Sequence, residues 1–562
     1  MKKNIQYSIL LLLIVLPAAL WQLARHDIIP QQAFTPERPL ASSILLVPLD
    51  SRPPCRQFVM DAGRIAGMTV LTPPSKIQDY YSQPGDTAAM QQWVLQTIGQ
   101  SQAAILSIDQ LLYGGLLAAR EKHKTAEEIQ DMLNFLRQLH ASHPDIPLYA
   151  FSILPRQTPQ DTIDGYQEKK DLLAYSRLKG RQAEGLPVDV NEIARLEKTI
   201  PADSLKRYLA HFAENEQLNK ELIHLVQEGV LAYLVLGQDD GEPYSIPNIE
   251  KQHLRHAIET ELAGKNTVFL THGADEIALS LLARIQNQRT GFYPRIKVYY
   301  NSPDAPDRIM PYMAVSTQET VREKIALLGG EEISSENDAD FALVVSACSS
   351  EEDDTSSRLP TVRLLQSLQN KRIPAGLVDL SRHFSAQETV LPLLLEQDYP
   401  VNQLIAYAGW NTTSNAIGTA IAQSSIYEAA RRSAQDLPAM TGIAAANLTF
   451  LQNRILEDYF YLKEDIDVIN QSLKKAGYTN TADLDLAHNY RWANQMLQQM
   501  MKEHVNTYKN TRSVRQPVRI TSPAGDFTLT LRDMTVDLSY PWPRTFEIWL
   551  QTTLFWTVPA EP

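Results

Sequence analysis

The chain has 562 residues, a length that at about 150 residues per unit implies three to four units and excludes a single small module. Hydrophobic residues make up 44% and charged residues 21%, a balance that buries a sizeable core and excludes wholesale disorder. With 52 Lys and Arg against 65 Asp and Glu the formal charge is −13, the wrong sign for tracking a phosphate backbone, so no nucleic-acid partner is expected.

Lys2 and Lys3 precede an apolar stretch from Ile5 to Leu23, which reads as a positive n-region followed by an h-region. The stretch approaches the roughly 20 residues a bilayer needs. Ala18-Ala19-Leu20-Trp21 is not a clean small-x-small cleavage site. Residues 1–26 are therefore expected to be an uncleaved membrane anchor, with the body outside the cytoplasm. The alternative is a cleaved signal peptide and a secreted or periplasmic body. Residues 27–43, with Pro30, Pro36 and Pro39, read as a linker.

From Ile44 onward short apolar runs recur between helical stretches. They are Ile44–Asp50, Met68–Thr72, Ala103–Asp109, Leu148–Leu154, Leu231–Leu236, Thr267–Thr271, Ile296–Tyr300, Phe341–Val345, Gly376–Asp379 and Leu404–Ala408. Continuous aliphatic content without alternation is what strands buried on both faces require. Thr125–His140, Asp275–Gln286 and Thr317–Leu328 read as helices, the last stopped by Gly329-Gly330. Residues 44–423 thus form an α/β domain of parallel β/α repeats, a modified (β/α) barrel or, alternatively, two doubly wound sheets split near Pro294. Residues 424–510 read as a helical region. In residues 511–562 the period-two stretches Val518–Ile520, Phe527–Leu531 and Thr545–Trp549 predict a small antiparallel β unit, with turns at Ser522–Gly525 and Tyr540–Pro543.

In parallel α/β folds ligands gather at the carboxyl ends of the strands. That rule selects Asp50, Arg52, Asp109, Tyr113, Arg156, Gln238, Asp239, Asp240, His272, Asp275, Glu276, Asn301, Trp410, Asn411 and Asn415. Carboxylates, arginines, amides and one Trp suit a carbohydrate or another small polar ligand, with the indole free to stack on a ring or to plug the end of the fold. Asp239 and Asp240 adjoin directly after a strand, where mutual repulsion raises one pKa toward the general-acid range. Asp275 and Glu276 open a helix, and are either chemical groups or first-turn partners of the helix dipole. Arg52 and Arg156 grip an anion or pair with a strand-end Asp, and Gly114-Gly115 admits either a ligand or a neighbouring loop. His272 with the aspartates lacks HxH or HExxH spacing, so no metal or other cofactor is expected. Cys55 and Cys348 are the two cysteines. They exclude a zinc ribbon, leave one long-range disulfide open, and offer no thiol paired with a nearby His.

The strings Val47–Cys55, Ser107–Gly115, Gly237–Asp240 and Ala408–Asn415 resemble those of a large bacterial family catalogued as domain of unknown function 4127. The resemblance spans about residues 44 to 423 and implies a shared fold and one site for these tips, without implying a chemistry. His272-Gly-Ala-Asp-Glu276 is similar to the His-x-Gly-Gly-Asp-Glu string of barrel-type β-hexosaminidases, one residue shorter. That likeness implies an acetamido-orienting Asp275 and an acid at Glu276. The Asp239-Asp240 pair is similar to that of barrel glycosidases using substrate-assisted catalysis, which implies the same two roles for Asp239 and Asp240. In either case one carboxylate supports an oxocarbenium-like charge and the other protonates the leaving oxygen.

The resulting expectation is an exported, membrane-tethered hydrolase of glycosidic bonds in envelope or extracellular glycans. Asp239 and Asp240 carry the acid/base work, Asp275 and Glu276 support it, and the other tip residues bind substrate. A metal-dependent hydrolase or deacetylase, and a noncatalytic envelope glycan-binding protein, are the alternatives.

Overall fold

The computed structural model describes residues 40–159, 166–262, 264–347, 358–383, 385–410 and 412–557. The anchor (1–26), residues 27–39 of the linker, Cys348, the acidic segment 349–354 and Asn411 lie outside the described residues.

All ten apolar runs are strands: β1 (Ser42–Val47), β2 (Met68–Leu71), β3 (Ala104–Ser107), β4 (Leu148–Leu154), β5 (Tyr233–Gln238), β6 (Val268–His272), β7 (Arg295–Tyr300), β9 (Phe341–Ala347), β10 (Ala375–Leu380) and β11 (Ala406–Ala408). An eleventh, β8 (Glu331–Glu332), is two exposed glutamates and carries no apolar signature. Every residue of β4 and of β9 is buried, as strands covered on both faces must be.

These strands do not close a barrel. They form two open parallel sheets, ordered β2-β1-β3-β4-β5-β6 and β11-β10-β9-β7-β8. In each sheet the second strand lies outside the first and the third returns to the first strand's other side, the doubly wound order with its switch point between strands one and three. After β6 the helix Ile277–Thr290 ends on Gly291 in the left-handed conformation (φ 67°), and β7 pairs with β8 and β9.

The sheets pack through their helices. α1 (Pro53–Ala66) and α2 (Ile277–Thr290) cover one face of the first sheet. α3 (Thr413–Arg432) covers the second and lies against both. α3 is buried from Thr413 to Ala430, and its Ala, Gly and Ser residues let the layers approach closely. Leu46 and Ile105 point into this shared core. Leu45 and Leu106 point into a second core beneath helices Ala126–Ser142, Ala202–Gln227 and Ile246–Glu261. The helix Thr317–Leu327 stops as its sequence predicts, with Gly329 left-handed at φ 81°.

The C-terminal region is helical over Leu437–Ile455, Ile466–Lys475 and Tyr490–Tyr508, with a π-helical stretch at Leu456–Asp465. That stretch brings Asp458 to the Gly409 N–H (2.9 Å) and Lys463 to the Gly409 carbonyl (3.1 Å), fixing the turn after β11. Three antiparallel strands follow, β12 (Val518–Ser522), β13 (Gly525–Ser539) and β14 (Trp549–Thr557). The last strand begins at Trp549 rather than at the expected Thr545. Pro541 and Pro543 supply no ladder donors, and the segment between them turns inward, where Trp542 Nε1 donates to Ser51 Oγ at 2.9 Å. No helix among the described residues is long and apolar enough to cross a membrane.

Candidate active site

The carboxyl ends of β1, β4, β5 and β6 open into a cleft of about 430 Å³. Its other walls are Tyr312 and Met313 from the loop after β7, Thr412, Ser414 and Asn415 at the start of α3, and Arg544 and Phe546 before β14.

Pro53 and Pro54 start α1 after the short loop that follows β1, placing Arg52 at the helix N-cap. From there its Nη2 reaches Asp50 Oδ2 and Asp275 Oδ1, each at 2.6 Å, and Nη1 lies 3.6 Å from Glu547. Asp50, Cys55 and Asp275 come within 4.8 Å of one another, close enough to share a cation. The Arg52 guanidinium fills that position, with Nη2 also 3.9 Å from Cys55 Sγ. Burial pushes the Cys55 thiol up, and Asp50 and Asp275 push it further, so no thiolate nucleophile stands here.

Asp239 and Asp240 share the turn after β5 in different environments. Arg120 Nε donates to Asp239 Oδ2 at 2.8 Å, and its Nη2 donates to the same oxygen. The Asp240 N–H donates to Asp239 Oδ1 at 2.8 Å. Burial pushes Asp239 up, but Arg120 and Arg156 outweigh it and hold the carboxylate below its usual range. Asp240 is pushed up to about 7, first by burial and then by the charge of Asp239. Two neighbouring carboxyls whose environments drive their pKa values apart are the signature of an acid beside a carboxylate.

His272 also lines the cleft, with both ring nitrogens engaged. Nδ1 is 2.9 Å from Glu323 and Nε2 is 2.7 Å from Lys251 Nζ, which also donates to Gln238 Oε1 at 2.8 Å. Burial lowers the His272 pKa against the pull of Glu323. The neutral ring therefore donates from Nδ1 and accepts at Nε2. This fixes the floor of the cleft and leaves His272 no lone pair for a metal. Asn415 Nδ2 donates to Thr412 Oγ1 at 3.1 Å, and its buried Oδ1 has no partner among the described residues.

Of the expected residues, Arg52, Arg156, Gln238, Asp239, Asp240, His272, Asp275 and Asn415 line this one cleft. The others that the structure describes stand elsewhere. Asp50 lies behind Arg52. Asp109 is buried beneath, accepting the Ile153 N–H at 3.1 Å, and burial pushes it up to about 7. Tyr113 donates to Glu214 at 2.9 Å, away from the cleft. Asn301 clips the end of β9, accepting the Ala347 N–H at 3.0 Å. Trp410 packs against Phe546 with ring centroids 5.8 Å apart and forms a plug behind the wall. Glu276 turns into the core and pairs with Lys324 at 2.5 Å, behind the cleft rather than in its lining. Gly114-Gly115 admits a loop rather than a ligand, since a Cβ on Gly115 would stand 3.1 Å from Asp79 Cγ.

Sequence reasoning missed Arg120, Tyr312, Arg544 and Phe546. Arg120 follows the short helix Leu116–Ala119 rather than a strand. The signal for Arg544 and Phe546 is the Pro-Trp-Pro string, which breaks the strand pattern just before them. No curated protein matches the sequence significantly. The chain belongs to the family described as Protein of unknown function (DUF4127), whose model matches residues 44–551.

Proposed function

We propose that the protein is an exported, membrane-tethered hydrolase of glycosidic bonds in envelope or extracellular glycans, working by paired-carboxylate acid/base catalysis. The observation that carries this reading is the Asp239–Asp240 pair: an ionised carboxylate held by arginines beside a carboxyl that keeps its proton to about pH 7, both in one cleft. The cleft volume of about 430 Å³ falls within the roughly 300–1,000 Å³ of small-molecule sites. The unpartnered Asn415 Oδ1 supports a ligand with hydroxyl donors. Export and tethering rest on Lys2, Lys3 and the apolar stretch Ile5–Leu23.

In this reading the Asp240 carboxyl gives its proton to the glycosidic oxygen as the C–O bond breaks and the electron pair stays on that oxygen. Asp239 supports the positive charge that develops on the sugar ring. Water then adds to the anomeric carbon and returns a proton to Asp240. Arg120 keeps Asp239 charged, Arg52 fixes Asp275 in the wall, and Arg156 and Asn415 bind the substrate.

The test is turnover of aryl N-acetylhexosaminides and isolated envelope glycans. The wild-type chain hydrolyses a member of this set, and Asp240→Asn lowers kcat by about 10²–10⁴-fold. Undiminished hydrolysis by Asp240→Asn removes Asp240 as the acid. Glycan binding without turnover, indifferent to Asp240→Asn, replaces the hydrolase with a binding protein.

A further inference from the structure

Four described residues other than glycine have left-handed backbone, among them Tyr81 (φ 53°) and Tyr312 (φ 64°). For a bulky side chain this conformation is costly, and it persists only where the surroundings impose it. Tyr81 is accounted for by its packing: its hydroxyl donates to Asp483 and its ring lies 5.8 Å from Trp542. Tyr312 has no such explanation.

Its backbone is pinned on both sides. Met310 and Met313 are buried at 5% and 4% exposure, and the Met313 N–H closes a turn onto the Met310 carbonyl at 3.2 Å. The Tyr312 carbonyl accepts the Gly241 N–H at 2.9 Å, tying the loop to the Asp239-Asp240 turn. The side chain between these anchors is 58% exposed and lines the cleft. Its hydroxyl and its ring have no partner among the described residues. Gly or Asn would take this backbone at less cost, so the ring's use lies outside the fold. Elsewhere in the same cleft Phe546 presents a second ring, held by Trp410 behind it and by Arg544 with its guanidinium 5.2 Å from the ring centroid.

We propose that Tyr312 is the ring-stacking platform of the cleft: its exposed phenol ring takes the C–H face of a pyranose while the carboxyls across the Gly241 bridge address that sugar's glycosidic bond. This deepens the glycosidase reading and rests on it. A pyranose has the matching chemistry, an apolar ring face edged by hydroxyls, which suits aromatic walls and polar ends together. Tyr312 acts by positioning and holds no proton in the reaction.

The experiment titrates N,N′,N″-triacetylchitotriose into the full chain carrying Asp240→Asn, which removes turnover, and repeats it with Tyr312→Phe and Tyr312→Gly added. Thermal melts are run on all three. Tyr312→Phe is expected to bind as its parent does, and Tyr312→Gly to bind about tenfold more weakly without a fall in melting temperature, because glycine relieves the backbone. Unchanged affinity in Tyr312→Gly overturns the proposal, as does a fall in melting temperature that accounts for the loss of binding. Equal loss in Tyr312→Phe overturns it in favour of the hydroxyl. Failure of the parent to bind the trisaccharide overturns it outright. Ring-dependent binding by a wild-type chain that hydrolyses nothing upholds the platform and removes only the catalytic reading. Hydrolysis with ring-independent binding does the reverse.

Discussion

Replacing Lys324 with Met isolates the energetics of the most enclosed charge pair behind the cleft. The Lys324 and Glu276 side chains are 0% and 1% exposed and 2.5 Å apart, and Lys324 Nζ also donates to Thr271 Oγ1 at 3.0 Å. Two glycine backbones crowd the glutamate from other sides. A Cβ on Gly273 would lie 2.2 Å from Glu276 Oε1, and one on Gly418 would lie 2.5 Å from its Cγ. Met keeps the volume of the lysine stem and removes the charge, leaving a carboxylate buried and unpaired at a cost of about 3–5 kcal/mol. That is a large part of the roughly 5–15 kcal/mol of a typical fold. The deficit depends on pH in a defined direction. Burial already pushes the Glu276 pKa above its usual value, with Lys324 pulling back, and removing Lys324 raises it further. A carboxyl whose folded pKa exceeds its unfolded value of about 4.3 costs nothing while both states are protonated, and destabilises progressively as pH rises from the unfolded value to the folded one. Urea denaturation followed by tryptophan fluorescence should therefore find Lys324→Met close to wild type near pH 4 and destabilised by kilocalories at pH 8. Adding Glu276→Gln to Lys324→Met restores most of the loss at pH 8 and leaves hydrolysis in place. A deficit that grows as pH falls, or none at pH 8, refutes the argument. Abolished turnover in the double variant would return Glu276 to the chemistry.

Hydrolysis itself is expected to have an alkaline limb. The active form needs protonated Asp240, whose pKa is raised to about 7, so kcat/KM holds below that value and declines above it. A profile flat from pH 6 to 9 contradicts the assignment. Gly273→Ala places a Cβ 2.2 Å from Glu276 Oε1 and 2.6 Å from Ser414 Oγ on a backbone at φ 95°. The expected cost is about 2 kcal/mol or more, read as a lowered urea midpoint, and an unchanged midpoint would show that the turn after β6 yields.

The strands were legible because a segment buried on both faces must be apolar throughout, as β4 and β9 are. Their pairing was not. Hydrophobic content is the same whether the strand after β6 joins its sheet or founds another, and nothing in Arg295–Tyr300 states which neighbour it takes. The strand-tip rule recovered Arg52, Asp239, His272 and Asp275, since topology fixes which end of a parallel strand faces ligand. It also selected Asn301, a tip of the other sheet that serves its own loop. Asp275 and Glu276 show a finer limit. Successive residues at a helix start point in divergent directions, and one faces the cleft while the other faces Lys324. Arg544 and Phe546 escaped because they reach the α/β site from a β unit that looks separate in sequence.

That late arrival orders the life of the molecule. Trp542 docks on Ser51 across 491 positions, and the stretch beside it supplies the last wall of a pocket whose first wall is Arg52. A ribosome releases one of these walls long before the other. A nascent chain therefore carries both aspartates long before it encloses them, and the cleft is complete only when the segment before β14 folds back onto the loop after β1.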